Sequence, residues 1–354
     1  MRLHAYIPIW CTMLLSCVAT PPTVRTAPLA LPGLPLPSRG LPAAGLIRSD
    51  IPARVIDLEM TARYTPGSTR VSAVHHVTLP VLDHPSQILL SVSARGQQDV
   101  RLSRHQNGLD QYLGLSFRLT DSNPLVITTV FRILVIPLDY SALMGNSLRP
   151  HERAAAAQWL RPSQYIESDH PLISALAGDI RKQNFDPLMI ARAAWAWPSR
   201  HLRFAPQTQA RGAVYAAQHK TGDCTEYAAL TTALCRAAGI PARMTAVFSL
   251  GDKDTRDFAL PNHSALEAFL PDRQGNGVWL PLDPNLSLGR MESTHGFGKT
   301  DNTIIRLKRE GAWTWGNSIP KNIRSQPGFG VSVTWQARVI DEGPAADLFA
   351  RHQR

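Results

Sequence analysis

Between about residues 50 and 145 apolar and polar positions alternate with a period of two. Leu113, Leu115, Phe117 and Leu119 fall on one side, and Gly114, Ser116, Arg118 and Thr120 fall on the other. That alternation predicts strands with one buried face. Asn107-Gly108 supplies a turn between two such runs. Residues 125–135 are apolar on both faces, which predicts a central strand covered from two sides. The region reads as an antiparallel sandwich or a similar small β-domain. His75 and His76 point to opposite faces of a predicted strand, so they do not share a metal.

The period changes near Pro150. Residues 154–160 are helical in pattern, and Leu172, Leu176 and Ile180 follow at a spacing of four. Asp186 then Pro187 reads as an N-cap and first helical position, opening a helix that carries Trp195 and Trp197 and that Pro198 is expected to stop. An extended piece, 201–204, leads to a short alanine-rich helix ending near His219. Over residues 224–238, Tyr227, Leu230, Leu234 and Ala238 form one stripe, and Ala229, Ala233 and Ala237 form a second. A helix packable on two faces belongs in the middle of its domain, and Gly239 and Pro241 close it.

Residues 243–250, 263–270 and 278–283 read as strands, joined by a charged loop at 251–261 and a Gly275-Asn276-Gly277 turn. Helices followed by a mostly antiparallel sheet give an α+β class. Two shorter strands, 303–308 and 331–340, are assigned to the edge of this second domain. No internal repeat is visible.

A chain of 354 residues exceeds the usual single-domain size. The predicted organisation is a signal peptide at 1–19, a Pro-rich linker at 20–49, a β-domain at 50–148, an α+β domain at 149–343 and a flexible tail at 344–354. The linker assignment rests on seven prolines between Pro21 and Pro42. Hydrophobic residues at 44% against 18% charged describe a globular protein rather than a disordered one.

The formal net charge is +10, and loss of the first nineteen residues removes only Arg2. The lysines and arginines are scattered, with no basic run interleaved with aromatics, so no nucleic-acid partner is expected. Met1-Arg2-Leu3-His4 precedes an apolar run over 5–18, with small residues before a cut after Ala19. The run is shorter than the roughly 20 residues that span a bilayer. Export follows as the expectation: an extracytoplasmic protein, of the periplasm or cell envelope in a bacterium, or secreted. Leu14-Leu15-Ser16-Cys17 leaves lipidation at Cys17 as the one route to membrane association.

Four cysteines exist, and Cys11 and Cys17 lie in the leader. If Cys224 and Cys235 share one helix, eleven residues at about 1.5 Å rise separate them by about 16 Å, beyond the roughly 7 Å that a disulfide spans. Cys224 is then a free thiol in an oxidising compartment. It stands where Thr221-Gly222-Asp223 turns into a helix, and unpaired N–H groups with the positive dipole end favour a thiolate at such a position. Cys235 reads as a small core residue. Downstream, His263 supplies a base and Asp283 a group to orient it, in the chain order Cys, His, Asp. His219 is a rival base on the approach to the helix. Metal ligation by Cys224, His219 and Asp223 lacks a fourth ligand. No acidic loop suits calcium, and no cofactor is expected.

Four ordered blocks resemble the transglutaminase-like family of papain-type cysteine enzymes. They are Gly222-Asp223-Cys224-Thr225-Glu226-Tyr227-Ala228, then Arg236-Ala237-Ala238-Gly239-Ile240-Pro241-Ala242-Arg243, then His263 to Glu267, then Trp279 through Asp283-Pro284. The resemblance covers roughly residues 165–290. It implies a papain/transglutaminase-like core with the cysteine on a central helix and His and Asp on adjacent strands, often behind an all-β domain. It further implies catalysis by Cys224, His263 and Asp283 on a peptide or protein substrate. A thioester on Cys224 would pass to water or to an amine, with a peptidase, amidase or transglutaminase as the result. A cell-envelope binding or scaffolding module using the same cleft without turnover is the alternative. Glu267 matches the family's acidic position, shares a strand face with His263, and reads as structural support. One departure stands out: the family carries Trp two residues after the histidine, and this chain has Ala265. The gap is expected to be wider or filled by another aromatic.

Overall fold

The computed structural model describes residues 42, 44–67, 71–96, 100–107, 110–119, 123–285, 296–309, 319 and 321–341. The expected leader, most of the linker, Gly108 of the predicted turn, and the tail lie outside these residues. The period-two region forms β1 (Arg54–Thr65), β2 (Val71–Thr78), β3 (Gln87–Gly96), β4 (Arg101–Asn107), β5 (Asp110–Leu119) and β6 (Leu125–Val135). β1, β6 and β3 are antiparallel neighbours in one sheet, and β2, β5 and β4 form another. Apolar residues of both sheets meet in one core that includes Met60, Tyr64, Leu115 and Phe131.

The alternation of β5 holds: Leu113, Leu115, Phe117 and Leu119 are buried and Arg118 is exposed. β6 differs from the expectation of cover on both sides. Val126, Thr128 and Val130 are only half-buried and Arg132 is exposed, where its guanidinium makes two 2.9 Å hydrogen bonds to Asp57. That face is covered only toward its end, where Leu134 is buried in the core that contains the helices. His75 is buried with Nδ1 2.7 Å from the Tyr64 hydroxyl, whereas His76 is half-buried on the opposite face.

Next come α1 (Pro150–Ala156), α2 (Pro171–Gln183), α3 (Pro187–His201), β7 (Arg203–Phe204), α4 (Ala213–His219), β8 (Thr221–Gly222) and α5 (Cys224–Ala237). Asp186 caps α3, its Oδ1 accepting from the N–H of Leu188 and Met189. Pro198 does not stop α3 as expected. A proline forfeits only one helical N–H, and the last turn closes without it: Leu202 donates to the Pro198 carbonyl at 2.8 Å. The His201 ring stacks on Trp197 with centroids 4.2 Å apart.

After α5 follow β9 (Ala242–Ser249), β10 (Thr255–Phe258), β11 (His263–Pro271), β12 (Gly277–Leu282), β13 (Ile304–Arg309), α6 (Lys321–Arg324) and β14 (Gly330–Asp341). A four-stranded antiparallel sheet runs in the order β12-β11-β9-β13. α5 packs on β9 and β11 with one face and on α2, α3 and α4 with the other. Its alanines permit that close approach on two sides, and Ala228, Ala229, Leu230, Ala233 and Leu234 are fully buried. Gly239 at φ 89° closes it in a Schellman arrangement, with Ile240 N–H on the Cys235 carbonyl at 2.8 Å.

Three boundaries depart from the sequence reading. β14, expected at the edge of the second domain, instead pairs with β1 in the first sheet, giving the order β10-β14-β1-β6-β3. Its alternation suits either sheet. The choice is made by Trp335 and Ala337, which are buried in the β-rich core where Trp335 stacks near Phe131. β10 lies inside the expected charged loop and pairs with β14, too short and polar to announce itself. Residues 44–48, expected as linker, close against the segment that follows β6: Ile47 bridges Leu138, and Arg48 N–H binds the Pro137 carbonyl at 3.0 Å. Among the described residues no helix is long and apolar enough to cross a membrane.

Candidate active site

Asp223 and Glu226 build the start of α5. Asp223 Oδ1 accepts from Thr225 N–H at 2.9 Å, and Glu226 Oε2 accepts from Asp223 N–H at 3.1 Å, a reciprocal capping box. The remaining carboxylate oxygens reach outward. Asp223 Oδ2 takes the N–H of Gln207 at 3.0 Å, and Glu226 Oε1 takes that of Arg211 at 2.8 Å. The loop before α4 is thereby fastened to the turn that carries Cys224. Gly222 is required beside it, since an added Cβ would lie 2.4 Å from Cβ of Glu226. Burial pushes the fully buried Glu226 carboxyl up, against the two backbone hydrogen bonds that favour its charge.

Cys224 is a half-buried free thiol at the first position of α5, and Cys235 is a buried one on the same helix. His263 opens β11, and Asp283 follows the last residue of the neighbouring strand β12. His263 Nε2 lies 2.6 Å from Asp283 Oδ2. Asp283 Oδ1 accepts from the N–H of Asn285 at 3.0 Å, which fixes the carboxylate's rotation. Burial works against charge on the imidazole. The charge and hydrogen bond of Asp283, joined by hydrogen bonding to Cys224, outweigh it and raise His263 to about 10. With Nε2 committed to Asp283, Nδ1 is the ring nitrogen left for the sulfur. Beside them, Thr225 Oγ1 and Ser264 Oγ stand 3.5 Å apart, joining the helix start to the strand start.

The structure thus brings together Cys224, His263 and Asp283. It leaves His219 exposed at the end of α4, its ring 4.4 Å from that of Tyr215. Among the described residues no cluster of His, Cys, Asp or Glu could hold a metal ion.

Residues 174–284 match a sequence family described as the transglutaminase-like superfamily. This part of the chain is a transglutaminase-like domain. A candidate cysteine protease from Cytophaga hutchinsonii is similar in structure, at 17% identity and a TM-score of 0.55, over 82% of this chain and 91% of that one. At that identity the likeness speaks for the fold, which is α+β with an all-β region ahead of the helical core. The periplasmic domain of TgpA from Pseudomonas aeruginosa aligns over 66% of this chain and 91% of its own, at 18% identity and a TM-score of 0.34. No curated protein matches the sequence.

In this transglutaminase-like domain Glu267 sits on the sheet face turned toward the β-rich half, not in the cleft. Its Oε2 receives Nε and Nη2 of Arg243, both at 2.7 Å, with Arg309 Nε at 3.5 Å and His84 Nε2 3.2 Å from Oε1. Burial disfavours that carboxylate, but Arg309 and Arg243 hold it well below the usual carboxylate range. Burial also pushes His84 down to about 4. Its Nδ1 accepts from Ser86 N–H, so the neutral ring presents Nε2–H to Glu267.

Ala265, Asp283, Lys299, Thr300, Ile304 and Arg306 are among the residues around a cavity of about 20 Å³, and among the described residues no aromatic lines it. That is room for about one water. The residues that sequence reasoning missed are the loop holders, Asp223 and Glu226 in that second role, and Arg306. Asp-x-x-Glu before an apolar run is a local signal that could have found the cap, but nothing local tells what its spare oxygens bind.

Proposed function

We propose that the protein is an exported cysteine enzyme performing acyl transfer or hydrolysis at peptide or carboxamide bonds. Cys224 is the nucleophile, His263 the proton carrier, and Asp283 the group that fixes the imidazole tautomer. The observation that supports this reading best is the 2.6 Å contact of His263 Nε2 with Asp283 Oδ2, which leaves Nδ1 for the sulfur.

In the reaction, the sulfur attacks the carbonyl carbon and its proton rests on His263. The N–H of Cys224, at the first helical position, has no intrahelical acceptor and is free for the oxyanion. Collapse expels the amine, which leaves with the proton from His263, and a thioester remains. Water or a second amine then gives its proton to His263 and attacks the thioester, returning the thiol with an acid or a new amide. Which acceptor enters is set by access to the cleft, and the substrate class is peptide or protein.

Alkylation tests the site without knowledge of the substrate. Iodoacetamide is expected to modify Cys224 at neutral pH much faster than an ordinary thiol, and His263→Ala is expected to lower that rate at least tenfold. Ordinary reactivity that His263→Ala leaves unchanged would favour a binding module instead.

A further inference from the structure

The β-rich half reaches the far side of the Asp283 carboxylate through Arg306. This residue lies on β13 beside a register shift between Arg306 and Lys308. The segment between β2 and β3 closes on its main chain. Val81 N–H donates to the Arg306 carbonyl at 2.9 Å, and Gln87 Nε2 donates to the same oxygen at 2.8 Å. The Arg306 N–H donates in turn to Gln87 Oε1 at 2.8 Å. Its Nη1 donates to Ser86 Oγ at 3.0 Å. Both polar main-chain atoms and one end of the guanidinium are therefore taken by residues of the β-rich half.

The side chain is buried at 6% exposure and lines the one-water cavity together with Asp283 and Ala265. Two other cations line that cavity, and each has its own carboxylate. Arg48 binds Asp50 and Lys299 binds Asp139, whereas Asp301 accepts from Thr303. Arg306 is faced by Glu267, Tyr140, Asp301 and Asp283, which favour the charge that burial opposes. Arg309 and His84 stand beside Glu267 on the same interface. Asp283 is faced by His263 on β11.

We propose that Arg306 is a positioning residue: held by Ser86 and Gln87, its guanidinium faces Asp283 across the cavity that Ala265 leaves open and keeps that carboxylate turned toward His263. A bridging water with a guanidinium donor on one side and a carboxylate acceptor on the other makes such a contact effective beyond direct hydrogen-bond distance. The β-rich half is then part of the site, because Arg306 loses its anchor without it. This inference rests on the reading of Cys224, His263 and Asp283 given above.

The test is the pH profile of Cys224 alkylation in the full-length protein, followed by mass spectrometry of the Cys224 peptide. Loss of a nearby cation lets protonated forms persist, so Arg306→Met is expected to move both limbs of the profile to higher pH, by about half to one unit. Arg306→Lys, which keeps the charge, is expected to restore them. A folded Arg306→Met protein with unmoved limbs overturns the proposal, even if its overall rate is lower. Should Arg306→Met fail to fold, Ser86→Ala removes one anchor alone and is expected to move the limbs in the same direction by a smaller amount; unmoved limbs there overturn it equally. His263→Ala on the same assay separates the two layers. A profile independent of His263 refutes the triad reading, whereas one that depends on His263 and ignores Arg306 refutes only the role of Arg306.

Discussion

The buried carboxylate of Glu226 spans two backbones, accepting the N–H of Asp223 at 3.1 Å and that of Arg211 at 2.8 Å. One side chain thus sets the first turn of α5, where Cys224 stands, and the loop that leads into α4. Glu226→Gln keeps the shape but turns an NH₂ group toward one of two N–H donors. The expected cost is about 1–3 kcal/mol of stability, the penalty for one unsatisfied buried donor, measured by urea unfolding. The alkylation rate of Cys224 should fall in the same variant, because the turn that holds the sulfur loosens. An unchanged midpoint and rate would show that the loop is held by other contacts.

His263 and Asp283 tie the pH dependence of stability to the site. The folded-state value of His263 is raised to about 10 from an ordinary 6.5. A group raised on folding contributes stability that is complete below the unfolded value and is lost as pH rises through the folded one. Stability should therefore decline between about pH 6.5 and 10 by a component that Asp283→Asn removes. Denaturant unfolding of both proteins at the two ends of that window checks it. Parallel pH curves would contradict the ion pair.

Glu267 is the anionic centre of the interface between the sheet β12-β11-β9-β13 and the β-rich half. Glu267→Gln leaves Arg243 buried without its counter-charge, while Arg309 keeps Asp83, and removal of one partner from such a buried pair costs about 3–5 kcal/mol. A large fall in thermal midpoint is expected, while the pKa governing Cys224 alkylation moves far less than in Asp283→Asn. Because this carboxylate is held below its ordinary range, the stability it supplies is present above the unfolded value near 4.5 and is lost only as pH falls well below it. Acid unfolding of the wild type against the variant reads this directly.

The site was legible where chemistry follows from local position. Cys224 reads as a nucleophile from its place where a glycine-bearing loop turns into a helix, and the two apolar stripes of α5 place that helix at the centre of its domain. His263 and Asp283 read from their order after Cys224 and from the blocks that resemble the transglutaminase-like family, His263 to Glu267 and Trp279 through Asp283-Pro284. What escaped is set by distant partners. Pro198 reads as a stop because a sequence shows the missing N–H, but not the Leu202 bond that closes the turn beyond it. β14 reads as a strand, yet its sheet is chosen by the pocket that receives Trp335. Arg306 reads as one more basic residue on an edge strand, because Gln87 and Ala265, which make it notable, are far away in the chain.

The most direct measurement is intact mass of the protein during incubation with a carboxamide or peptide substrate, with peptide mapping. An acyl adduct on Cys224 is expected, accumulating as the thioester and discharged by water or added amine, and absent in His263→Ala. Turnover that proceeds in Cys224→Ala, or an adduct that maps to any other residue, would contradict the account.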